Sequence, residues 1–122
     1  MRLIYHIAAR ADWEQALRDG AYTISTRGLT LAQQGFIHCS RPGQVARVAN
    51  RFYRGVPDLV LLVIEPARLR SPIQYDPVPG ESEPYPHIYG PLNLDAVVDV
   101  RPFHPAPDGT LTFPPPHPHP PP

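Results

Sequence analysis

The sequence predicts an α+β domain, and three observations lead there. Two stretches with three- and four-residue apolar spacing, Asp12 to Asp19 and Pro42 to about Tyr53, lie in the first half of the chain. A run of consecutive aliphatics from Leu59 to Glu65 reads as a central strand buried on both faces. The segments after it are mostly strand-like. Helices gathered near the front with strands behind are the pattern of an α+β domain rather than of alternating βαβ units.

Taken in order, Leu3 to Ala8 is short and apolar on both faces, as a strand in mid-sheet is. In Asp12 to Asp19, Trp13, Ala16 and Leu17 recur at helical spacing, and Gly20 supplies a C-terminal stop. Thr23 to Thr26 fits strand or loop, and a helical turn over Leu29 to Gln33 ends at Gly35. Phe36 to Ser40 reads as a strand. Pro42 then opens the second helix at its first turn, where its missing N–H needs no helical partner. Val45, Val48, Ala49 and Phe52 form the apolar stripe of that helix, with Arg47, Asn50, Arg51 and Arg54 around the rest. Ile73 to Tyr75, His87 to Tyr89, Ala96 to Phe103 and a short Leu111 to Phe113 supply the remaining strands. Between them, Asp76 to Pro86 is a long loop rich in Pro, Gly and acids, of the kind that often carries function.

A chain of 122 residues has room for one hydrophobic core. Ten of its nineteen prolines fall at or beyond Pro102, which places the domain over residues 1–113 and a disordered Pro/His-rich tail over 114–122. No apolar run reaches membrane-spanning length, and the first residues lack the apolar core of a secretory signal, so the expected compartment is the cytoplasm with no membrane partner. The lone Cys39 allows no internal disulfide, in keeping with that compartment. Eleven basic and eleven acidic side chains cancel, which argues against a nucleic-acid surface. Every basic residue is arginine. A GC-rich genome explains that composition, and one or two arginines forking onto phosphate or carboxylate is the functional reading beside it.

Three histidines sit in apolar, strand-like blocks: Ile4-Tyr5-His6-Ile7, Gly35-Phe36-Ile37-His38-Cys39-Ser40, and Pro84-Tyr85-Pro86-His87-Ile88-Tyr89-Gly90-Pro91. A fold that gathers these blocks would line one cleft with imidazoles. His38 and Ser40 stand two apart and share a strand face, which turns Cys39 the other way as a small buried hydrophobe. His87 and Tyr89 share a face in the same manner, suited to ribose hydroxyls and a planar heterocycle, with structural aromatic packing over a loop as the equal alternative. For His6 alone, a core histidine satisfied by backbone groups is the competing reading. Glu81 and Glu83 lie in the long loop, and Glu65 ends the central strand; these are the available acids. His6, His38, Cys39 and His87 are metal-ligand types, but their spacing matches no compact motif, and no metal is expected.

These three blocks, in this order, resemble the bacterial family catalogued as domain of unknown function 952, over roughly Leu3 to Phe103. That family is in turn similar to the ADP-ribosyltransferase fold, a fold-level analogy. The resemblance implies split β-sheets with two or three helices packed around them and NAD in the cleft. It implies His6 on the ribose, Ser40 or Tyr89 at the nicotinamide end, and Glu83 or Glu65 as the catalytic acid; with the histidines of the cleft, the expected cofactor-binding residues are His6, His38, Ser40, His87 and Tyr89. The related RNA phosphotransferase branch uses arginines and histidines in place of that acid.

The expected function is an ADP-ribosyltransferase-like enzyme acting on NAD or a related nucleotide, cleaving the nicotinamide–ribose bond through a cation-like transition state. Two other functions stay open at this level. One is a non-catalytic small-ligand-binding module with the same cleft, and the other is an adaptor docking through Pro114 to Pro122.

Overall fold

Six aliphatic residues in succession, Leu59–Ile64, are all buried and form β6, the middle strand of a three-stranded antiparallel sheet. The computed structural model of the protein describes residues 2–115. In chain order its elements are β1 (Ile4–Ala9), α1 (Arg10–Asp19), β2 (Ala21–Tyr22), β3 (Ile24–Thr26), β4 (Leu29–Thr30), α2 (Leu31–Gln34), β5 (Ile37–His38) and α3 (Pro42–Phe52). After β6 come β7 (Ile73–Asp76), β8 (Tyr85–Ile88), β9 (Leu92–Asn93) and β10 (Val97–Phe103), with single 3-10 turns at Pro66–Arg68 and Leu94–Ala96. This is a mixed α+β architecture with three helices and several antiparallel sheets. No helix among the described residues is long and apolar enough to cross a membrane.

The first sheet runs β1-β6-β10 and separates two cores. Alternation along β6 sends Val60, Leu62 and Ile64 to one side, with Ile4, Ala16 and Tyr22, and Leu59 and Leu61 to the other, with Ile7, Val45 and Phe103. The α1 helix covers the former side and α3 the latter. The second sheet runs β5-β8-β7. Its Ile37, Ile88 and Ile73 pack into the α1-side core. A bridge joins the two sheets: the N–H groups of Tyr5 and Ser40 each donate to the other's carbonyl at 2.8 Å.

Local chemistry sets the element ends. Gly20 closes α1 at φ 88°, donating its N–H to Ala16, and Thr30 opens α2 with a reciprocal capping box to Gln33. Gly90, after β8, has φ 153°, and a Cβ there would lie 2.4 Å from Ser71 Oγ, so only glycine fits.

Most predicted elements appear near their expected bounds, and three differ. The strand expected at His87 to Tyr89 begins two residues earlier, at Tyr85. A proline inside a central strand argues against such an extension, yet Pro86 is accommodated at the end of a ladder. Cys39 donates to the Pro86 carbonyl at 3.0 Å, and the return bond that proline cannot make falls just past the last residue of β5. The expected strand at Leu111 to Phe113 is absent. Instead Asn50 of α3 brackets Leu111, donating to its carbonyl at 2.7 Å and accepting its N–H at 2.8 Å. The two-residue strands β2, β4 and β9 were not anticipated. Phe113 packs edge-on against Tyr5 and Pro115 is buried, so the packed chain continues past the expected boundary; the Pro/His-rich end from Pro116 onward lies outside the described residues.

Leu62 is fully buried at the centre of β6, whereas Leu17 on α1 is 56% exposed. Leu62→Ala should therefore destabilise the fold by about 3 kcal/mol in urea denaturation, while Leu17→Ala should change it by less than about 0.5 kcal/mol. Equal costs would contradict the central position of β6.

Candidate functional site

The two faces of the β5-β8-β7 sheet differ in chemistry because alternate residues point opposite ways. One face is the aliphatic face already described. On the other, His38 of β5 pairs directly across from His87 of β8, and Asp76 at the end of β7 pairs across from Tyr85. This polar face looks into a cavity of about 270 Å³. The first sheet contributes Tyr5 and Ile7 to its wall, α3 contributes Arg47, Val48 and Arg51, and the loop after β7 contributes Val78, Pro79 and Glu81. The cavity is therefore bounded by both sheets, one helix and one loop.

On this face of the sheet, rings make a cluster of which His38 and His87 border the cavity. Phe36 stacks on His87 with centroids 4.1 Å apart and planes at 15°, and His38 meets both rings edge-on at 4.8 and 5.0 Å. Burial, with a smaller effect from neighbouring His87, lowers the His38 pKa to about 4, so this imidazole is neutral at physiological pH. His87 is itself buried. Its Nδ1 donates to Asp76 Oδ2 at 2.8 Å, and the Tyr89 hydroxyl donates to the same oxygen. The Tyr89 bond foremost, and the His87 bond after it, hold the Asp76 carboxyl below the usual range against the opposing effect of burial. His87 Nε2 is buried and has no protein partner.

Glu81 forms a second cluster near α3. The Tyr85 hydroxyl donates to its Oε1 at 2.8 Å, Arg47 Nε lies 2.9 Å from the same oxygen, and Arg51 Nη1 lies 3.8 Å from Oε2. The Tyr85 bond first, then Arg47, depress the Glu81 pKa and keep it a carboxylate. Arg47 and Arg51 are one helical turn apart and both largely exposed, so the pair faces outward around the carboxylate.

The candidate residues separate on this framework. His6, His38, Ser40 and His87 all border the cavity. His6 is nevertheless committed elsewhere: its Nδ1–H donates to the His38 carbonyl at 2.5 Å, and its Nε2 accepts the Tyr22 hydroxyl at 2.8 Å. With both nitrogens spent, it has no hydrogen bond to offer a ribose, and the reading as a satisfied core histidine is the one that fits. Cys39 is buried and burial pushes its thiol pKa up, as for an inert core cysteine. Tyr89 stands beside the ring cluster, 5.3 Å from Phe36, and reaches Asp76 rather than the cavity wall.

The two expected acids lie away from the cavity. Glu65 is buried at the far end of β6, where its carboxylate accepts the Ala67 N–H at 3.1 Å and caps the 3-10 turn. Glu83 is exposed on a separate cleft, near Arg2, Arg41 and Tyr75. Loop geometry turns Glu81, and not Glu83, inward, and only the fold supplies that distinction. Asp76 and Phe36 were also missed as site residues. The sequence pattern puts Asp76 at the start of the long loop, whereas β7 extends one residue further and carries it on the His87 face. Among the described residues no group of three or more His, Cys, Asp or Glu is arranged to hold a metal ion.

A family model described as "Protein of unknown function (DUF952)" matches residues 7–100. The chain belongs to this family. The second and third histidine blocks fall inside the matched span, and of the first only Ile7 does. Among solved structures, the crystal structure of protein CC0527 from Caulobacter crescentus is 31% identical, with TM-score 0.80 over 90% of this chain and 93% of that one. A crystal structure of a double mutant of CC0527 gives 30% identity and TM-score 0.79 over the same shares. The solution NMR structure of CC0527 gives 31% identity and TM-score 0.70, covering 88% of this chain and 90% of that one. No curated protein matches the chain.

Burial lowers the His6 pKa from 6.5 to about 4, outweighing the opposing effect of its bond to the His38 carbonyl. The unfolded chain takes up a proton at His6 that the fold excludes, so stability is complete above pH 6.5 and declines toward pH 4, by roughly 3 kcal/mol for this residue. His38 acts in the same direction. Urea midpoints measured at pH 7 and pH 4.5 should show the loss, and a flat profile would mean that His6 is not held neutral in the core.

Proposed function

We propose that the cavity binds one base-and-ribose unit of a nucleotide, NAD or a close relative, and that the protein is an ADP-ribosyltransferase-like enzyme. The observation that carries this reading is the division of the cavity between an uncharged, ring-lined interior and a charged margin. The rings of neutral His38 and of His87 suit a flat heterocycle, while the Arg47–Arg51 pair suits a diphosphate. At about 270 Å³ the volume is near the lower bound, roughly 300 Å³, of small-molecule pockets. Half of a dinucleotide is the appropriate occupant, with the remainder crossing the arginines into solvent. Two antiparallel sheets with helices around them also suit the ADP-ribosyltransferase analogy.

In that chemistry the bond between ribose C1′ and the nicotinamide nitrogen breaks and its electron pair leaves with the ring, whose positive charge is thereby neutralised. The cation left on the ribose needs a nearby negative group. Glu81 is the ionised carboxylate in the cavity wall and takes this role in place of Glu83 and Glu65. One observation favours the alternative of a non-catalytic ligand-binding module: both Glu81 oxygens are already engaged by Tyr85 and the arginines.

Calorimetric titration with NAD, combined with chromatographic detection of nicotinamide, separates these readings. Binding at submillimolar ligand is expected, and Arg47→Ala should weaken it by about tenfold, the loss of one charge-assisted contact. Glu81→Gln should abolish nicotinamide release while leaving binding within about threefold, a difference of under 1 kcal/mol. Binding with no release by the wild-type protein would establish the module. No binding at millimolar NAD would reject the ligand.

A further inference from the structure

The reading above leaves unused the most unusual atom in the site, His87 Nε2. The His87 side chain is only 4% exposed, and Nε2 has no protein partner. Buried polar atoms are nearly always paired, and an orphan on the wall of a cavity points to a ligand. The other ring nitrogen fixes its chemistry. An ionised carboxylate only accepts hydrogen bonds, so Nδ1 must carry the proton that Asp76 receives, which leaves Nε2 as the nitrogen available to exchange a proton. Asp76 is held in turn by the Tyr89 hydroxyl, and the ring is clamped flat against Phe36. His87 borders the cavity and Asp76 does not, so Nδ1, which is directed at Asp76, is the nitrogen turned away from it. Carboxylate, imidazole and clamp together are the arrangement by which a histidine is prepared as a base.

We propose that His87 is the general base of the site, taking a proton through Nε2 from the water or hydroxyl group that attacks the ligand, with Asp76 as its positioning residue. This rests on the reading of the cavity as a nucleotide site and adds the acceptor half of the reaction. As nicotinamide leaves with the electron pair of its bond to C1′, the acceptor oxygen forms the new bond to C1′ and its proton passes to Nε2. The proton then escapes to solvent, restoring the neutral ring. With water as acceptor the products are ADP-ribose, nicotinamide and one proton, and no other reactant is required.

The test uses the full chain labelled with ¹⁵N in histidine, together with Asp76→Asn and His87→Gln variants whose folding is checked by thermal midpoint. Nitrogen shifts should show His87 as the Nδ1–H tautomer in the wild type and a change of tautomer population in Asp76→Asn. With NAD, Asp76→Asn should keep binding within about twofold and lower kcat at least about 100-fold, within the usual contribution of general base catalysis. His87→Gln should lose turnover to a similar degree. Wild-type kcat in Asp76→Asn would overturn the proposal while leaving NAD binding intact. A wild-type His87 carrying its proton on Nε2 would overturn it whatever the ligand. If NAD fails to bind, the nucleotide reading falls, and this proposal for acceptor attack on its C1′ falls with it; the tautomer measurement then reports separately whether the Asp76–His87 pair exists.

Discussion

The site depends on the seam where the two sheets meet. A two-way backbone bridge between Tyr5 and Ser40 fixes the distance between them, and one residue along, His6 reaches across to the His38 carbonyl. Its other nitrogen is fixed by Tyr22 of β2, so one imidazole ties three strands together. A carbonyl accepts only from a donor, so Nδ1 of His6 is protonated and Nε2 is the acceptor for Tyr22. Burial, which disfavours the charged ring, maintains the neutral state that this bonding requires. The cavity lies beside this seam, with Tyr5 and Ser40 in its lining and α3 and the loop after β7 closing the space.

The three histidine blocks that stand out in the sequence thus contribute to one region but in different capacities. His6 is structural, His38 presents a neutral edge to the cavity, and His87 has a buried ring nitrogen with no protein partner. Residue type alone could not distinguish them, because the difference lies in which atoms face each nitrogen. For His6 the deciding partners are 16 and 32 residues away in the chain. Alternation served better: the pairing of His38 with Ser40, opposite Cys39, follows from the two-residue period of a strand and needs no tertiary information.

Periodicity made the larger elements legible for the same reason. Continuous aliphatics identify β6, and the apolar stripe of α3 with Pro42 at its start identifies that helix and its first residue. Strands of two residues, such as β2 and β9, contain no period to detect and exist only because their partners meet in space. Pro86 misled in the opposite direction, since the rule against proline in central strands assumes a full ladder on both sides, and here one ladder stops beside it. The acids were the least legible. Glu65, Glu81 and Glu83 differ hardly at all as sequence signals, and the loop conformation alone turns Glu81 inward.

The distribution of charge around the cavity has a further physical consequence. Ionised groups are confined to its margin, where Arg47, Arg51 and Glu81 retain solvent contact and mutual compensation, and the Asp76 carboxylate lies behind His87 rather than in the open space. An isolated charge among the rings of the interior would be costly. The interior is consequently suited to neutral groups, and a positive charge developing there would need the carboxylates of Glu81 and Asp76 beside it to offset its burial.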